Sequence, residues 1–175
     1  MKARYVVDTN VLIAASAADP VHPKDIDATP AEPYLRREVW EWLDRFDQSE
    51  SRLVLDSGLR IYDEYNNKLG FNDFGIQVVM HKWSTAAVDV VEVEYNQYGD
   101  GVLVPTLDPV IHDAADKKMV AAALGSQAVF GEGCIAFAGD TDWHDWEIAL
   151  GEHELLLEPI IEAWSRQKHA DKKLR

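Results

Sequence analysis

Short apolar runs rich in β-branched residues alternate along this chain with stretches of helical periodicity. The runs lie at 4–7, 53–55, 88–93, 134–138 and 155–157, and they show little alternation of polar and apolar residues. Strands of this kind are buried on both faces, which is typical of a parallel sheet covered by helices. The pattern therefore predicts a three-layer α/β/α fold with a central, mostly parallel sheet of four to five strands.

Apolar residues at helical spacing predict the helices that connect these strands. They cover 11–18, 34–48, 59–69, 73–85 and 113–124, with a short helix after the fourth strand and a final helix from 159. We expect one domain over 1–175, interrupted by a loop insertion at 19–33, which holds four prolines. The irregular segment at 94–110, rich in glycine and proline, is compatible with either a hairpin or a loop.

The charge balance restricts the classes of partner. With 17 basic and 31 acidic side chains the formal net charge is −14, which opposes non-specific binding to a phosphate polyanion. It is compatible with a site that binds divalent cations. A lone cysteine, Cys134, excludes a disulfide scaffold. The apolar runs are too short for a membrane span, and we expect a cytoplasmic protein.

Acidic residues stand at recurring points of the βα pattern. Asp8 ends the first strand and Asp140 follows the fourth, so both are expected at the edge where ligands bind in parallel sheets. Glu64 and Asp116 lie in predicted helices. Carboxylates that converge without Lys or Arg between them repel one another unless a cation neutralises them. Their oxygens suit Mg²⁺ or Mn²⁺.

This arrangement resembles the PIN-domain nucleases, with toxin-type PIN ribonucleases the nearest subgroup. The resemblance rests on short motifs spread along the chain: VVDTNVLIAA, IYDEYNNKL, DKKMVAAAL and FAGDTDW. It implies a PIN-like fold and catalytic acids at Asp8, Glu64, Asp116 and Asp140. Asp142 joins these four as a metal ligand, and the supporting residues are Thr9, Asn10, Asp113 and Asp142, with Asp113 also the alternative to Asp116.

The resemblance also implies a function. A PIN-domain protein of this kind is a metal-dependent endoribonuclease that uses Mg²⁺ or Mn²⁺ to hydrolyse phosphodiester bonds in RNA. A toxin would additionally pair with an antitoxin protein. Lys117 and Lys118 are expected to face solvent, and the candidate cations for RNA binding are Arg36, Arg37, Lys68, Lys82 and the C-terminal segment RQKHADKKLR.

Two other interpretations stay open. Haloacid-dehalogenase-like phosphatases also begin with a strand-end Asp, which would make Asp8 a nucleophile. That reaction needs an acid two residues later, where this chain has Asn10. The third interpretation is a non-catalytic PIN-like binding scaffold, in which tryptophan-bearing helix faces form a homodimer.

Overall fold

A computed structural model describes residues 1–174. These residues form five strands and seven helices in the alternating order that the sequence predicts. The elements are β1 Arg4–Val7, α1 Thr9–Ala17, α2 Pro33–Gln48, β2 Arg52–Asp56, α3 Arg60–Lys68, α4 Phe74–Ser84, β3 Val88–Val91, α5 Ala114–Phe130, β4 Gly133–Phe137, α6 Trp143–Glu152, β5 Leu155–Pro159 and α7 Glu162–Lys173.

The strands form a single five-stranded sheet in the order β3-β2-β1-β4-β5, and every neighbouring pair is parallel. Helices α1, α2 and α4 pack against one another, whereas α5 packs along β1, β2, β3 and β4. The result is a three-layer α/β/α fold, and the predicted fold class is confirmed. The chain extends the sheet from β1 to β3 in one direction and then returns to β4 and β5 in the other.

This reversal determines where the strand-end acids meet. Val7 pairs with Ala136 across β1 and β4, and the amide of Asp8 donates to the Ala136 carbonyl at 2.9 Å. In open parallel sheets ligands bind beyond the carboxyl ends of the strands, at the point where the strand order reverses. Asp8 and Asp140 lie beside that point, at the ends of the two adjacent central strands.

Helix α5 continues six residues beyond its predicted end at 124, through Gly125 and Ser126 to Phe130. Gly125 packs closely on the Val91 side chain, and the hydroxyl of Ser126 donates to the Glu132 carbonyl at 2.6 Å. The helix ends at Gly131, whose φ of 73° lies in the left-handed region that favours glycine. Tertiary packing therefore outweighs the local propensity of these residues.

The two irregular segments both lie beside the acids. No helix or strand forms between α1 and α2, and in this stretch Thr29 lies so close to Gly139 that a Cβ at 139 would overlap the Thr29 carbonyl. In the second segment, Tyr95 and Gly101 form an antiparallel bridge. Residues 95–101 therefore form a short hairpin. Within residues 1–174, no helix has the length and apolar character needed to cross a bilayer.

Candidate metal centre

Asp8 is held rigidly where β1 passes into α1. Its Oδ1 accepts a hydrogen bond from the amide of Asn10 at 3.1 Å, as the N-cap of α1, and its Oδ2 accepts from Nε1 of Trp143 at 3.1 Å. The residue is 3% exposed. Burial raises the pKa of Asp8 to about 7, and the charges of Asp140 and Glu64 add to this effect, against the two N–H donors.

Asp116 lies in the first turn of α5, one helical turn after the N-cap Asp113, whose carboxylate accepts from the Ala115 amide at 2.8 Å. The pKa of Asp116 is raised to about 9, mainly by burial. The negative charges of Asp8, Asp140, Asp113 and Glu64 act in the same direction. Its Oδ2 is buried and has no hydrogen-bond partner within residues 1–174. An oxygen in this environment requires a proton or a cation.

Asp140 follows β4, next to the close contact between Gly139 and Thr29. Its Oδ1 accepts from the amide of Asp142 at 2.9 Å. Burial raises the pKa of Asp140, and the charges of Asp142 and Asp113 act in the same direction. Asp140 in turn raises the pKa of both Asp8 and Asp116, which shows that the three carboxylates lie in one electrostatic environment.

Glu64 reaches this environment from α3, but it has two partners of its own. Its Oε1 accepts from the hydroxyl of Thr9, and its Oε2 lies 2.6 Å from Nζ of Lys118. The same ammonium donates to the Ala115 carbonyl at 2.7 Å. The Lys118 side chain is only 12% exposed, so the prediction that it faces solvent is wrong. The same prediction is wrong for Lys117, whose side chain is 18% exposed and pairs with Asp108 outside the acidic cluster.

Asp142, predicted as a further metal ligand, has protein partners near both of its oxygens. Its Oδ1 pairs with the ammonium of Lys172 on α7, and its Oδ2 lies 4.0 Å from Nε2 of His112. Asp142 also begins α6 as its N-cap residue. The carboxylate is thus already neutralised by a cation of the C-terminal helix.

Four acids from four separate elements therefore act on one another electrostatically at this edge of the sheet: Asp8, Glu64, Asp116 and Asp140. Within residues 1–174, no three His, Cys, Asp or Glu side chains are placed as they would be around a bound ion. The ion pair between Lys118 and Glu64 holds one of the four carboxylates toward a protein cation. The donor set nevertheless fits Mg²⁺ or Mn²⁺, because it is made of hard oxygens and includes the partnerless Oδ2 of Asp116.

Sequence reasoning missed two residues of this site. Trp143 is fully buried and donates to Asp8 across 135 positions of sequence. Lys118 neutralises Glu64 from a different helix. Neither contact has a signal in the local sequence, since each joins elements that only the fold brings together. The FAGDTDW motif contains Trp143, but nothing in the motif indicates the direction of its N–H group.

Several cations that the sequence offered for RNA binding have other roles. Lys82 is 1% exposed and donates to the carbonyls of Ser49 and Ser51 at 2.9 and 2.8 Å, so the prediction that it contacts substrate is wrong. Arg36 donates to the carbonyls of Pro30 and Ala28, both at 2.6 Å. In the C-terminal segment, Arg166, Lys172 and Lys173 pair with acids of α6 and α7.

No protein-family model, curated protein or solved structure matches this chain. The likeness to PIN-domain nucleases thus depends on the four short motifs and on the positions of their acids.

Proposed function

We propose that this protein is a divalent-metal-dependent ribonuclease that hydrolyses phosphodiester bonds in RNA, in the manner of PIN-domain nucleases. One observation supports the proposal above the others. Four carboxylates from β1, α3, α5 and the end of β4 share one environment at the switch point of the sheet, and one buried oxygen of Asp116 has no partner within residues 1–174. Such a cluster is costly for a scaffold, because like charges are desolvated together.

Mg²⁺ or Mn²⁺ would be held by Asp8, Glu64, Asp116 and Asp140. When bound, such an ion activates water as a nucleophile and stabilises charge on the phosphoryl oxygens. The chain itself orients the ligands. Two N–H donors fix the Asp8 carboxylate, and the hydroxyl of Thr9 aims Glu64.

Asn10 and Asp113 act through the backbone around these ligands. The amide of Asn10 fixes Asp8, while the side chain of Asp113 caps α5 and so aims its first turn, which carries Asp116. These contacts support a role in positioning. The PIN-domain resemblance also implies that the protein acts as a toxin and that it pairs with an antitoxin protein. Both stay predictions.

The test is cleavage of a labelled single-stranded RNA. We expect cleavage that EDTA abolishes and added Mn²⁺ restores. Asp8→Asn and Asp140→Asn should each reduce the rate at least a hundredfold, because each removes a charged ligand. Asp25→Asn is the matched control, since Asp25 is an exposed acid of the 18–32 segment. Cleavage that survives EDTA, or that both ligand variants retain, would refute the proposal.

A second function is favoured by one specific contact. The ion pair between Lys118 and Glu64 neutralises a carboxylate without any metal, as expected of a PIN-like binding scaffold that has lost its catalytic ion. Calorimetric titration with Mn²⁺ separates the two functions. A nuclease binds the ion at millimolar or tighter affinity and loses binding in Asp8→Asn, whereas a scaffold gives no heat that depends on Asp8.

The phosphatase interpretation is disfavoured by the residue two positions after Asp8, where that reaction needs a general acid. Asn10, at this position, carries no acidic proton for a leaving group.

A further inference from the structure

A shallow depression of about 350 Å³ opens beside the acidic cluster, between α3, the start of α5 and the 95–101 hairpin. Glu64 and Lys118, both part of the cluster, form one end of its wall. The other lining residues are Arg60, Asp63, Asn67, Lys68 and Gly99. We refer to this depression as the α3 groove.

Arg60 and Lys68 are the cations of this groove that are free to bind an anion. Both are exposed, and no carboxylate of residues 1–174 lies within ion-pairing distance of either one. In a chain of net charge −14, more than half of the basic side chains of the described part have acidic partners, whereas these two have none. Asp63 shares the groove wall but pairs with neither of them.

The Arg60 guanidinium is held in place by the hairpin. It lies 4.4 Å from the centre of the Tyr95 ring and 3.4 Å from the Gly99 carbonyl. The hydroxyl of Tyr95 donates to Oδ2 of the buried Asp56 at 2.7 Å. Cation–π contact and hydrogen bonding therefore restrict this side chain before any ligand arrives, which reduces the entropic cost of binding.

The spacing along α3 relates these cations to the metal ligand. Arg60, Glu64 and Lys68 are four residues apart and so lie on one face of the helix, each separated from the next by roughly 6 Å of rise. A cation thus flanks Glu64 on either side. A polyanion that places one phosphate at the acidic cluster would bring neighbouring phosphates onto this face.

We propose that the α3 groove binds the backbone phosphates that neighbour the scissile phosphate of a single-stranded nucleic acid. The inference rests on the proposed ribonuclease function for the position of the scissile phosphate. It explains how so acidic a chain attracts a polyanion, since phosphate binding depends on local Lys and Arg. The hairpin that positions Arg60 belongs to the irregular 94–110 segment of this chain.

Binding is tested without catalysis, by fluorescence anisotropy of a labelled ten-nucleotide RNA in EDTA at low salt. We expect Arg60→Gln/Lys68→Gln to weaken binding roughly tenfold and to lower the slope of log affinity against log salt by about 1.4. Lys2→Gln/Arg45→Gln is the matched control, because it removes two exposed cations that lack acidic partners in the described chain and line a different depression. Unchanged affinity and slope in the groove variant, or an equal loss in the control, would overturn the proposal.

A second measurement separates this proposal from the nuclease function. Bis(4-nitrophenyl) phosphate is too small to extend along α3, so the groove variant should hydrolyse it at the wild-type rate while cleaving RNA more slowly. Loss of RNA binding in the groove variant, with wild-type protein inactive on both substrates, would uphold the groove and refute the nuclease. Equal RNA cleavage by both proteins would refute the groove alone.

Discussion

The ammonium of Lys118 lies 2.6 Å from Oε2 of Glu64, so a cation of the chain itself sits at the acidic cluster. Lys118 lies two residues after Asp116 on α5, while Glu64 is on α3. The contact neutralises one of four acids that otherwise repel one another. It also sets Lys118 in competition with any metal ion for the same carboxylate.

Replacing Lys118 should therefore strengthen metal binding. In Lys118→Gln the net charge of the cluster becomes more negative and Glu64 loses its competing partner, so we expect Mn²⁺ affinity to rise roughly tenfold. Calorimetric titration measures this. Lys117→Gln is the control, because Lys117 pairs with Asp108 instead. Weaker Mn²⁺ binding in Lys118→Gln would mean that the lysine helps to hold the ligands.

The metal-free protein should gain stability when Asp116 is replaced by Asn. Near neutral pH the folded state must take up a proton at Asp116, because burial and the charges of Asp8 and Asp140 oppose its ionisation, and Asn removes this cost. We expect the free energy of unfolding in EDTA to increase by about 2 kcal/mol near neutral pH, with Tm higher by roughly 4–8 °C. Thermal unfolding checks this, and excess Mn²⁺ should reverse the order of the two proteins. A lower Tm in EDTA would contradict the electrostatic account.

The pH dependence of stability follows from the same groups. Their pKa values are about 7 for Asp8 and about 9 for Asp116, both above the ordinary 3.8, so the folded state binds more protons than the unfolded state in this range. The contribution of these two acids to stability in EDTA should be greatest below about pH 4. It should fall as the pH rises through about 7 and then 9. With Mn²⁺ the metal replaces those protons, so the stabilisation by metal should increase with pH.

Urea unfolding at about pH 5, 7 and 9, with and without Mn²⁺, measures both trends. Asp116→Asn should flatten the decline in EDTA, because it removes a group whose pKa is raised to about 9. An unfolding free energy in EDTA that rises between about pH 7 and 9 would contradict this prediction.

Trp143 should control the ionisation of Asp8. Trp143→Phe removes the N–H donor to Oδ2, so the pKa of Asp8 should rise further above about 7. The carboxyl ¹³C shift of Asp8, followed by NMR against pH, reports the change directly. Trp83→Phe is the control, since Trp83 is 47% exposed and packs on Tyr62 away from the acids. An unchanged titration of Asp8 in Trp143→Phe would contradict the role of this donor.

Two glycines test how closely the helices pack. A Cβ at Gly75 would lie 2.6 Å from the carbonyl oxygen of Leu12, whereas a Cβ at Gly151 meets no atom within 4 Å. Gly75→Ala should reduce the unfolding free energy by about 1–3 kcal/mol, because α1 and α4 must separate. Gly151→Ala should increase it by about 0.5–1 kcal/mol through helix propensity. Urea denaturation compares them, and equal effects would contradict the close α1–α4 contact.

The order of strands and helices could be predicted from the sequence, because burial on both faces of the sheet leaves continuous apolar runs such as 4–7 and 134–138. The meeting of Asp8 with Asp140 could be predicted as well, since parallel strands have their carboxyl ends at one edge. Local periodicity predicts the elements, and the common direction of the strands predicts which of their ends lie together.

Only the tertiary structure decided which groups surround those acids. The N–H of Trp143 on Asp8, the ammonium of Lys118 on Glu64 and the contact of Thr29 with Gly139 each join elements distant in sequence. Their placement depends on how whole helices and loops pack on the sheet, and a local pattern contains no information about side-chain direction across such distances. The carboxylates come from the motifs, while the partners that determine their charge come from the packing.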